Sequence, residues 1–510
     1  MSESRTYNAK RNIIFGLINR IIQLCLPFVI RTILIKNLGA DYLGLDSLFV
    51  SILEVLNMAE LGFSSAIIFS LYKPLAEKDN ETVCALLQLY KQIYRIIGFL
   101  IIVIGLLLMP FLPRLLKGTW PDNINIYLLY SIYLFTTAIS YLVFAYQNAL
   151  LSASQRRDII SNVESILSII KCTVQFVCLL VFHNFYAYVI WKLIYAVFYN
   201  VIINAITKKN FPQYVCRGKI NKEEKKAIIQ QIGGLAISKL CLTTRNSFDN
   251  IVLALFCGLT DVAIYSNYYY IFGAVASITG VINLAISAGV GNSIATESTE
   301  KNYEDLKKFH YYFSWISAWC SICMLCLYQP FMELWVGKEL TAPYIIAVFF
   351  SLYFYIGQMG QMRSVYSGGY GIWWEFRFSN IIEVICNLIL NFILGFFFGM
   401  KGIVFATILT VLIFGVIISD IITLKTCFNK KSGEFLLITF IYFVFTSLCA
   451  IIVYLICSTF SYSNLLLTFA IRFGICLIVP NIYFFIMSCL NKKHRNYLSF
   501  MKDNYLCRRK

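Results

Sequence analysis

The chain has 510 residues, of which 59% are hydrophobic and 14% charged, and its mean hydropathy is +0.72. Soluble globular chains usually contain about 45–50% apolar and about 25% charged residues, so this composition excludes a water-soluble domain. The formal net charge is +17, which in a soluble protein would suggest a nucleic-acid partner. In a membrane protein the same excess has another explanation, so we expect no nucleic acid among the partners.

The apolar residues fall into runs of roughly 20–28, each long enough to cross the ~30 Å hydrocarbon layer as a helix. The short alternating segments of a membrane barrel are absent from the sequence. We therefore predict an all-α polytopic membrane protein of about 14 transmembrane helices. In chain order, the predicted spans are 13–37, 43–71, 93–113, 124–151, 159–182, 185–207, 230–257, 262–290, 308–330, 343–366, 372–398, 402–425, 434–458 and 463–489.

Lys and Arg are distributed unevenly between the predicted loops. Most of the 43 basic residues lie on the side of the membrane that holds the N-terminus, and few lie in the opposite loops. An excess of Lys and Arg marks the cytoplasmic side, so we expect both termini in the cytoplasm. The bias also supports an even number of spans, because the loss of one helix would invert every later loop.

A weak internal repeat divides the chain. The longest polar stretch, residues 208–229, resembles a linker, and a shift of 219 residues pairs Arg20 with Lys239, Leu34 with Leu253, Gly39 with Gly258, and Ser47 with Ser266. Parallel repeats of this kind are common in transporters, with the substrate site at their interface. We predict a six-helix bundle in residues 1–220, a second in 221–430, and two additional helices with a basic tail in 431–510.

Polar residues within three predicted spans share one helix face. Such groups are costly in a membrane and by default face a cavity or a partner. At 100° per residue, each of the following sets occupies one side of its helix. The sets are Asn12, Gly16, Arg20, Gln23, Pro27 and Arg31 in the first span; Ser238, Lys239, Thr243, Arg245, Asn246, Asp249 and Asn250 in the seventh; and Asn380, Glu383, Asn387 and Asn391 in the eleventh.

The first two faces carry cations, and the repeat places one such face in each half. Arg20, Arg31 and Lys239 would repel one another across a cavity unless an anion or a carboxylate lay between them. Phosphate or pyrophosphate suits such a site, because Arg presents paired donors to its oxygens. The asparagine face of the eleventh span is suited to hydrogen-bonding hydroxyl groups.

Several charged residues also have a purely structural interpretation. Local ion pairs can form between Arg245 and Asp249, between Glu164 and Lys171, and between Glu54 or Glu60 and the cations Arg20 and Arg31. Glu164 and Lys171 can alternatively meet neighbouring helices, and Glu54 and Glu60 can alternatively bind a coupling cation. The sequence leaves these alternatives open.

No catalytic or metal-binding motif is visible in the sequence. The GxxxxGK[ST] phosphate loop is missing, and none of the three histidines has a catalytic setting. Cys320, Cys323 and Cys326 form a CxxCxxC in the ninth span, but they have no His or carboxylate neighbours, so we expect them to pack as apolar residues. We expect no enzyme activity, no metal and no cofactor, apart from a coupling H⁺ or Na⁺.

Short motifs along most of the chain are similar to those of the bacterial polysaccharide transporter family. These lipid-linked oligosaccharide or O-antigen flippases belong to the multidrug/oligosaccharidyl-lipid/polysaccharide (MOP) exporter superfamily. The motifs that carry the resemblance are RTI (31–33), LG (38–39), YLGL (42–45), AELG (59–62), LYKPLA (71–76), NSFDNI (246–251), YSNY (265–268), LWVG (334–337) and GIWWEFR (371–377).

The resemblance implies two six-helix bundles arranged as a V, alternating access, and a bacterial inner (plasma) membrane location. Its substrate would be an anionic oligosaccharide on undecaprenyl pyrophosphate, moved from the cytoplasmic to the outer leaflet for cell-surface polysaccharide synthesis. Membrane lipids, a polysaccharide polymerase and glycosyltransferases are the implied partners. The implied substrate contacts are Arg20, Gln23, Arg31, Lys239, Arg245, Asn246, Asn250 and Asn387, with Glu54, Glu60 and Asp249 as candidates for ion coupling.

Three other functions compete with this interpretation. An ion-coupled multidrug or cation exporter of the same superfamily would favour an acidic or aromatic cavity, which the cationic faces oppose. A sugar polymerase or lipid-linked glycosyltransferase would need a sizeable external loop with acidic residues, which the predicted topology lacks. A non-transporting scaffold within a polysaccharide assembly complex is compatible with the sequence.

Overall fold

The computed structural model describes residues 5–57, 63–144, 146–221, 243 and 247–501. Every regular element within these ranges is helical, and they contain no strand, which confirms the predicted all-α class. The chain divides into two compact units, Met1–Ala263 (unit 1) and Ile264–Lys510 (unit 2). The domain boundaries near 220 and 430 stay predictions.

Unit 1 contains nine helices in its described part and the first residues of a tenth. They are α1 (Arg5–Leu38), α2 (Ala40–Leu56), α3 (Phe63–Glu77), α4 (Asn80–Leu108), α5 (Ile126–Leu142), α6 (Gln147–Ala153), α7 (Arg157–Leu180), α8 (Phe185–Asn210), α9 (Ser247–Phe256) and α10 (Leu259–Thr296). A 3₁₀ segment, Met109–Leu115, extends α4.

Unit 2 contains the rest of α10 and all later elements. They are α11 (Thr299–Val336), α12 (Tyr344–Met359), α13 (Gln361–Tyr370), α14 (Arg377–Phe398), α15 (Met400–Thr410), a π-helical segment (Val411–Ile418), α16 (Ser419–Phe428), α17 (Gly433–Thr459), α18 (Leu465–Leu490) and α19 (Lys492–Met501). A short 3₁₀ turn, Lys338–Leu340, follows α11.

Eleven helical segments in the described part of the chain are long and apolar enough to cross a membrane. A twelfth span results if α5 and α6, which are bent by 52° relative to each other, count as one. Of the two remaining predicted spans, 43–71 coincides with α2, α3 and the undescribed residues 58–62, and 230–257 lies mostly in the undescribed residues before α9. The chain is a multi-pass membrane protein, and the number 14 stays a prediction.

Side-chain caps fix where several helices begin. Asp79 accepts a hydrogen bond from Thr82 N at the start of α4, and Asn125 and Asn184 cap α5 and α8. In unit 2, Ser298 caps α11 and Asn464 caps α18. Each cap satisfies main-chain N–H groups that have no partner within the helix. These residues therefore set the boundaries between long apolar runs and the turns that connect them.

The turns after α1 and α9 have the same backbone geometry. Gly39 and Gly258 have φ angles of 107° and 104°, and each donates its N–H to a carbonyl five residues earlier, Leu34 O at 3.3 Å and Leu253 O at 3.1 Å. A side chain with a Cβ rarely adopts this φ. The four residues are the pairs that the sequence repeat aligns, so the turn geometry supports the repeat at this point.

Candidate functional site

Part of the predicted polar face of α1 lies against α7. Asn12 donates to the main-chain oxygen of Gln155 at 3.0 Å, and its own side-chain oxygen accepts from the N–H of Asp158 at 2.8 Å. About three turns further along, Gln23 donates to Ser168 Oγ at 2.8 Å. Asn12 and Gln23 therefore join two helices. The role of Gln23 as a substrate contact stays a prediction.

The two arginines on α1 have different environments. Arg20 is exposed and has no hydrogen bond or ion pair with the described residues. Arg31 is half-buried, and its Nη2 donates to Ser47 Oγ of α2 at 3.4 Å. Eleven helical residues separate them by about 16 Å. The two cations therefore do not share one anion-sized site.

Four of the predicted site residues lie outside the described residues. They are Glu60, Lys239, Arg245 and Asn246. The proposed opposition of Arg20 and Lys239 across a cavity accordingly stays a prediction, as does the pairing of Arg245 with Asp249.

The remaining predicted residues of α9 lie against α2. Asn250 donates to Ser51 Oγ at 2.9 Å, and Ser247 donates to the carboxylate of Glu54 at 3.1 Å. Asp249 lies between these two residues in the sequence. It is buried, with 1% of its surface exposed. The structure thus places one candidate coupling carboxylate, Glu54, at the contact between α2 and α9, and it buries a second, Asp249, on α9.

On the asparagine face of α14, Asn387 and Asn391 are fully buried within unit 2. Asn387 donates to Thr407 and Thr410 at 3.3 and 3.2 Å, and Asn391 donates to Asn387 at 3.2 Å. Both threonines belong to α15. These amides hold two helices together, which is a structural task, and a contact of Asn387 with substrate stays a prediction.

Five helices of unit 1 converge on a group of charged side chains that we call the basic cluster. Its members are Arg31 of α1, Asp46 of α2, Lys171 of α7 and Lys192 of α8. Tyr133 of α5 completes it. Asp46 accepts hydrogen bonds from both Lys192 Nζ and the Tyr133 hydroxyl.

The lysines of the basic cluster lie over tyrosine rings. Lys192 Nζ is 5.0 Å from the ring centre of Tyr133 and 4.9 Å from that of Tyr188, and Lys171 Nζ is 4.5 Å from that of Tyr195. Such contacts stabilise a cation by about 0.5–2 kcal/mol. The rings partly offset the cost of keeping two ammonium groups in an apolar protein.

The sequence positions these groups through helix spacing and a cap. Asn184 fixes the start of α8. Tyr188, Lys192 and Tyr195 then follow at intervals of four and three residues, which place them on one face. Asp46 lies on α2 about two helical turns after Gly39. At this height along α2 its carboxylate reaches Lys192.

The described part of the basic cluster contains three cations and one carboxylate. Asp46 also interacts electrostatically with Arg31, and Lys171 with both Lys192 and Asp46. The side chains of Lys192 and Asp46 remain 23% and 13% exposed, respectively. The formal charges of these four side chains sum to about +2, and concentrated positive charge is costly at low dielectric. An anionic ligand would balance it.

Neither Asp46 nor Lys192 is among the residues predicted from the sequence. Each is an ionisable residue within a predicted span, and this alone marks a candidate site. A helical wheel examines one helix at a time, so it cannot pair residues that are 146 positions apart. Glu164 and Lys171, in contrast, meet neighbouring helices, because Glu164 accepts from Asn19 at 2.7 Å and from Tyr199 at 3.3 Å.

Unit 2 contains a buried ion pair of a different kind. Arg363 of α13 lies 3.5 Å from the carboxylate of Asp420 of α16. Its guanidinium also donates to the main-chain oxygens of Gly360, Gly415 and Val416, at 3.3, 2.7 and 3.4 Å. Gly415 and Val416 lie in the π-helical segment, whose altered hydrogen bonding leaves carbonyls available to other donors.

No family model and no curated protein matches the sequence. Solved structures do match the fold. The lipid II flippase MurJ in an inward closed conformation has a TM-score of 0.65 at 14% identity, with 93% of this chain and 98% of that chain covered. The fold is that of the MOP exporter superfamily.

Multidrug transporters of the superfamily share this fold. An inward-facing MATE family transporter matches with a TM-score of 0.60 at 14% identity, covering 77% of this chain and 92% of that one. A Vibrio cholerae MATE transporter matches with a TM-score of 0.57 at 13% identity, covering 83% and 98%. At such identities the MOP fold is established, and it accommodates more than one class of substrate.

Proposed function

We propose that this MOP-fold chain is a flippase for an undecaprenyl-pyrophosphate-linked oligosaccharide repeat unit. It moves the lipid from the cytoplasmic to the outer leaflet of a bacterial plasma membrane by alternating access, with both termini in the cytoplasm. The product serves cell-surface polysaccharide synthesis, and polymerase and glycosyltransferases are its proposed partners. The chain itself acts as a transporter without enzyme activity.

The basic cluster is the observation that carries this proposal. Three cations and one carboxylate meet within helices that cross the membrane, where a surplus of positive charge is unfavourable without a counter-charge. Lysines act as point charges toward phosphate oxygens and Arg31 offers paired donors. A pyrophosphate group supplies negative charge of the right sign and magnitude.

The polar face between α2 and α9 is the proposed coupling region. Glu54 is exposed and accepts a hydrogen bond from the Ser247 hydroxyl. Asp249 and Glu60 are the other proposed coupling carboxylates. Glu54 can take up H⁺ or Na⁺ during transport, because no cation of the described residues lies at hydrogen-bond distance from its carboxylate.

A cation or multidrug exporter is the second candidate, since MATE transporters share the fold. Asp46 is the feature that favours it, because a carboxylate within a membrane bundle can attract a cationic substrate. Lys192 already forms an ion pair with that carboxylate, however, and Arg31 and Lys171 add further positive charge. The electrostatics of the cluster therefore favour an anion.

A reconstituted transport assay tests the proposal. Purified protein is placed in liposomes with a fluorescent pyrophosphate-linked sugar lipid, and flipping is measured with and without proton or sodium gradients. The flippase proposal expects movement of this lipid and no movement of cationic dyes. Transport of dyes alone would replace it with the exporter function.

The cations predicted from the sequence give a cellular version of this test. We expect Arg20→Ala and Lys239→Ala each to abolish polysaccharide export while protein level and membrane insertion stay normal. Arg114→Ala, at the end of a 3₁₀ segment outside the predicted site, is the control and should export normally. Normal export by the Arg20/Lys239 double variant would remove both residues from the proposed site.

A further inference from the structure

Three buried cysteines from three helices of unit 2 meet in what we call the thiol cluster. Cys326 belongs to α11, Cys457 to α17 and Cys476 to α18. Their sulfur atoms all lie within 4.8 Å of one another, and each residue is buried. Such convergence places three soft ligand atoms around one point.

The cluster has an apolar shell and one additional thiol. Ile322 and Val453 pack around it, with Leu327 and Val479 at its edge. Cys323 lies one turn before Cys326 on α11, and its sulfur is 3.8 Å from the main-chain oxygen of Cys476. A fourth sulfur therefore lies beside the three that converge.

The cation Arg472 lies at one end of the cluster. Arg472 is one helical turn before Cys476, and it donates to Phe460 O at 3.3 Å and to Ser461 Oγ at 2.9 Å. Those two acceptors follow Cys457 by only three and four residues. The guanidinium thus bridges α18 and the end of α17, and it supplies positive charge where a thiolate group would need it.

The sequence motif alone indicates packing, because Cys320, Cys323 and Cys326 follow one helix without other ligands. In the fold, Cys326 is joined by two cysteines from much later in the chain, and Cys320 is not part of the group. Three cysteines on one helix are spread along its axis. Three cysteines from three helices can instead direct their sulfur atoms at one point, as a metal ion requires.

We propose that the thiol cluster binds one Zn²⁺ through the thiolates of Cys326, Cys457 and Cys476. Zn–S bonds of about 2.3 Å require tetrahedral sulfur–sulfur distances of about 3.8 Å, which small side-chain rotations reach from the observed spacing. The neighbouring Cys323 thiol, kept neutral, is the donor for the fourth position. Binding converts three thiols and Zn²⁺ into a tris-thiolate complex of charge −1 and three released protons. Arg472 balances that charge.

Charge balance selects the metal. A Cu⁺ ion with the same three thiolates would leave a charge of −2, and Arg472 could neutralise only half of it in this apolar shell. The zinc complex with Arg472 is neutral. The bound ion ties α17 and α18 to α11, so its task is to hold the last two long helices of unit 2 in place, separately from the transport site.

Metal content of the purified full chain tests this proposal. The protein is isolated in detergent under reducing conditions with a tag that binds no metal, and zinc is measured by mass spectrometry. We expect about one Zn²⁺ per chain in the wild type, and a drop of about tenfold in Cys457→Ser and Cys476→Ser. Cys427→Ser is the matched control, because Cys427 is a buried cysteine of unit 2 in another core cluster.

A second measurement needs no variant. Chelator-treated wild-type protein is titrated with Co²⁺, and we expect a thiolate-to-cobalt charge-transfer band that saturates at about one equivalent and disappears on addition of Zn²⁺. The absence of both zinc and this band would overturn the proposal, as would equal metal content in Cys457→Ser.

Discussion

The two units each contain a basic side chain paired with an aspartate, but the surroundings of the two pairs differ. In unit 2, Arg363 has Asp420 and three main-chain carbonyls as acceptors, and the two side chains are only 9% and 3% exposed. In unit 1, Lys192 and Asp46 are more exposed and have Lys171 and Arg31 nearby. The first pair is enclosed by further protein acceptors, and the second lies beside two further cations.

This difference is the one we expect between a structural ion pair and the proposed ligand site. A guanidinium whose donors all face protein acceptors has nothing left to offer a substrate, and its loss strands a buried carboxylate. A cluster with more cations than carboxylates can accept an anion without breaking its internal contacts. Burial of a charge within a membrane is therefore a weaker sign of function than an imbalance between neighbouring charges.

The largest effect is expected from Arg363→Met. Removal of this cation leaves Asp420 and three carbonyls without their donor, at a cost of about 3–5 kcal/mol. We expect little folded protein by size-exclusion chromatography in detergent. The double variant Arg363→Met with Asp420→Asn should recover most of the folded fraction. If the single variant folded normally, the pair in unit 2 would not be structural.

Lys192→Gln tests the ion pair of unit 1. Asp46 would keep the Tyr133 hydroxyl and the nearby Arg31, so we expect a smaller loss of stability, about 1–3 kcal/mol. Adding Asp46→Asn should restore folding, measured by thermal unfolding. Transport in liposomes should stay at least about tenfold below wild type in both variants, equivalent to about 1.4 kcal/mol of transition-state stabilisation.

Rescue of transport together with folding by the Lys192/Asp46 double variant would contradict the proposed site. The matched control is Lys208→Gln, because Lys208 is an exposed lysine in the last turn of the same helix. It should leave both stability and transport unchanged.

Lys171→Gln tests whether a second lysine of the basic cluster contributes to ligand binding. Lys171 contacts the Tyr195 ring, at 4.5 Å, and its replacement by a neutral polar group should change the melting temperature little. Loss of one positive charge near the ligand should weaken the apparent affinity for the sugar lipid about three- to tenfold. Flipping rates as a function of lipid concentration measure this. An unchanged affinity would place Lys171 outside the ligand site.

The smallest effect is expected from Asn387→Ala. Polar contacts between membrane helices contribute about 0.6 kcal/mol on average, with a maximum near 1.7 kcal/mol. Loss of the bonds to Thr407 and Thr410 should lower the unfolding temperature modestly, and transport per folded molecule should stay at the wild-type rate. A selective loss of transport would restore Asn387 as a substrate contact.

The helices themselves could be predicted from the sequence, because apolar runs and capping residues act locally. The bend between α5 and α6 could not, since the fourth predicted span contains no proline, and Phe144 adopts a φ of 55° there. The polar face of α1 was identified, but its main neighbour, α7, was not. A polar stripe looks the same whether it lines water or another helix.

The basic cluster also could not be predicted from single helices. Periodicity along one helix identifies Arg31 and its neighbours, but the ion pair of Asp46 with Lys192 depends on how α2 and α8 pack. The thiol cluster depends likewise on three helices that are distant in the sequence. Long-range pairing carries the chemistry in all these cases, and a single sequence contains no direct signal for it.

The matching turns at Gly39 and Gly258 also bear on ancestry. Duplication of a six-helix segment passes on its backbone path, and a positive φ tolerates few replacements, whereas lipid-facing side chains can be exchanged freely. The position of such a glycine in a duplicated segment is therefore retained longer than the identity of the residues around it.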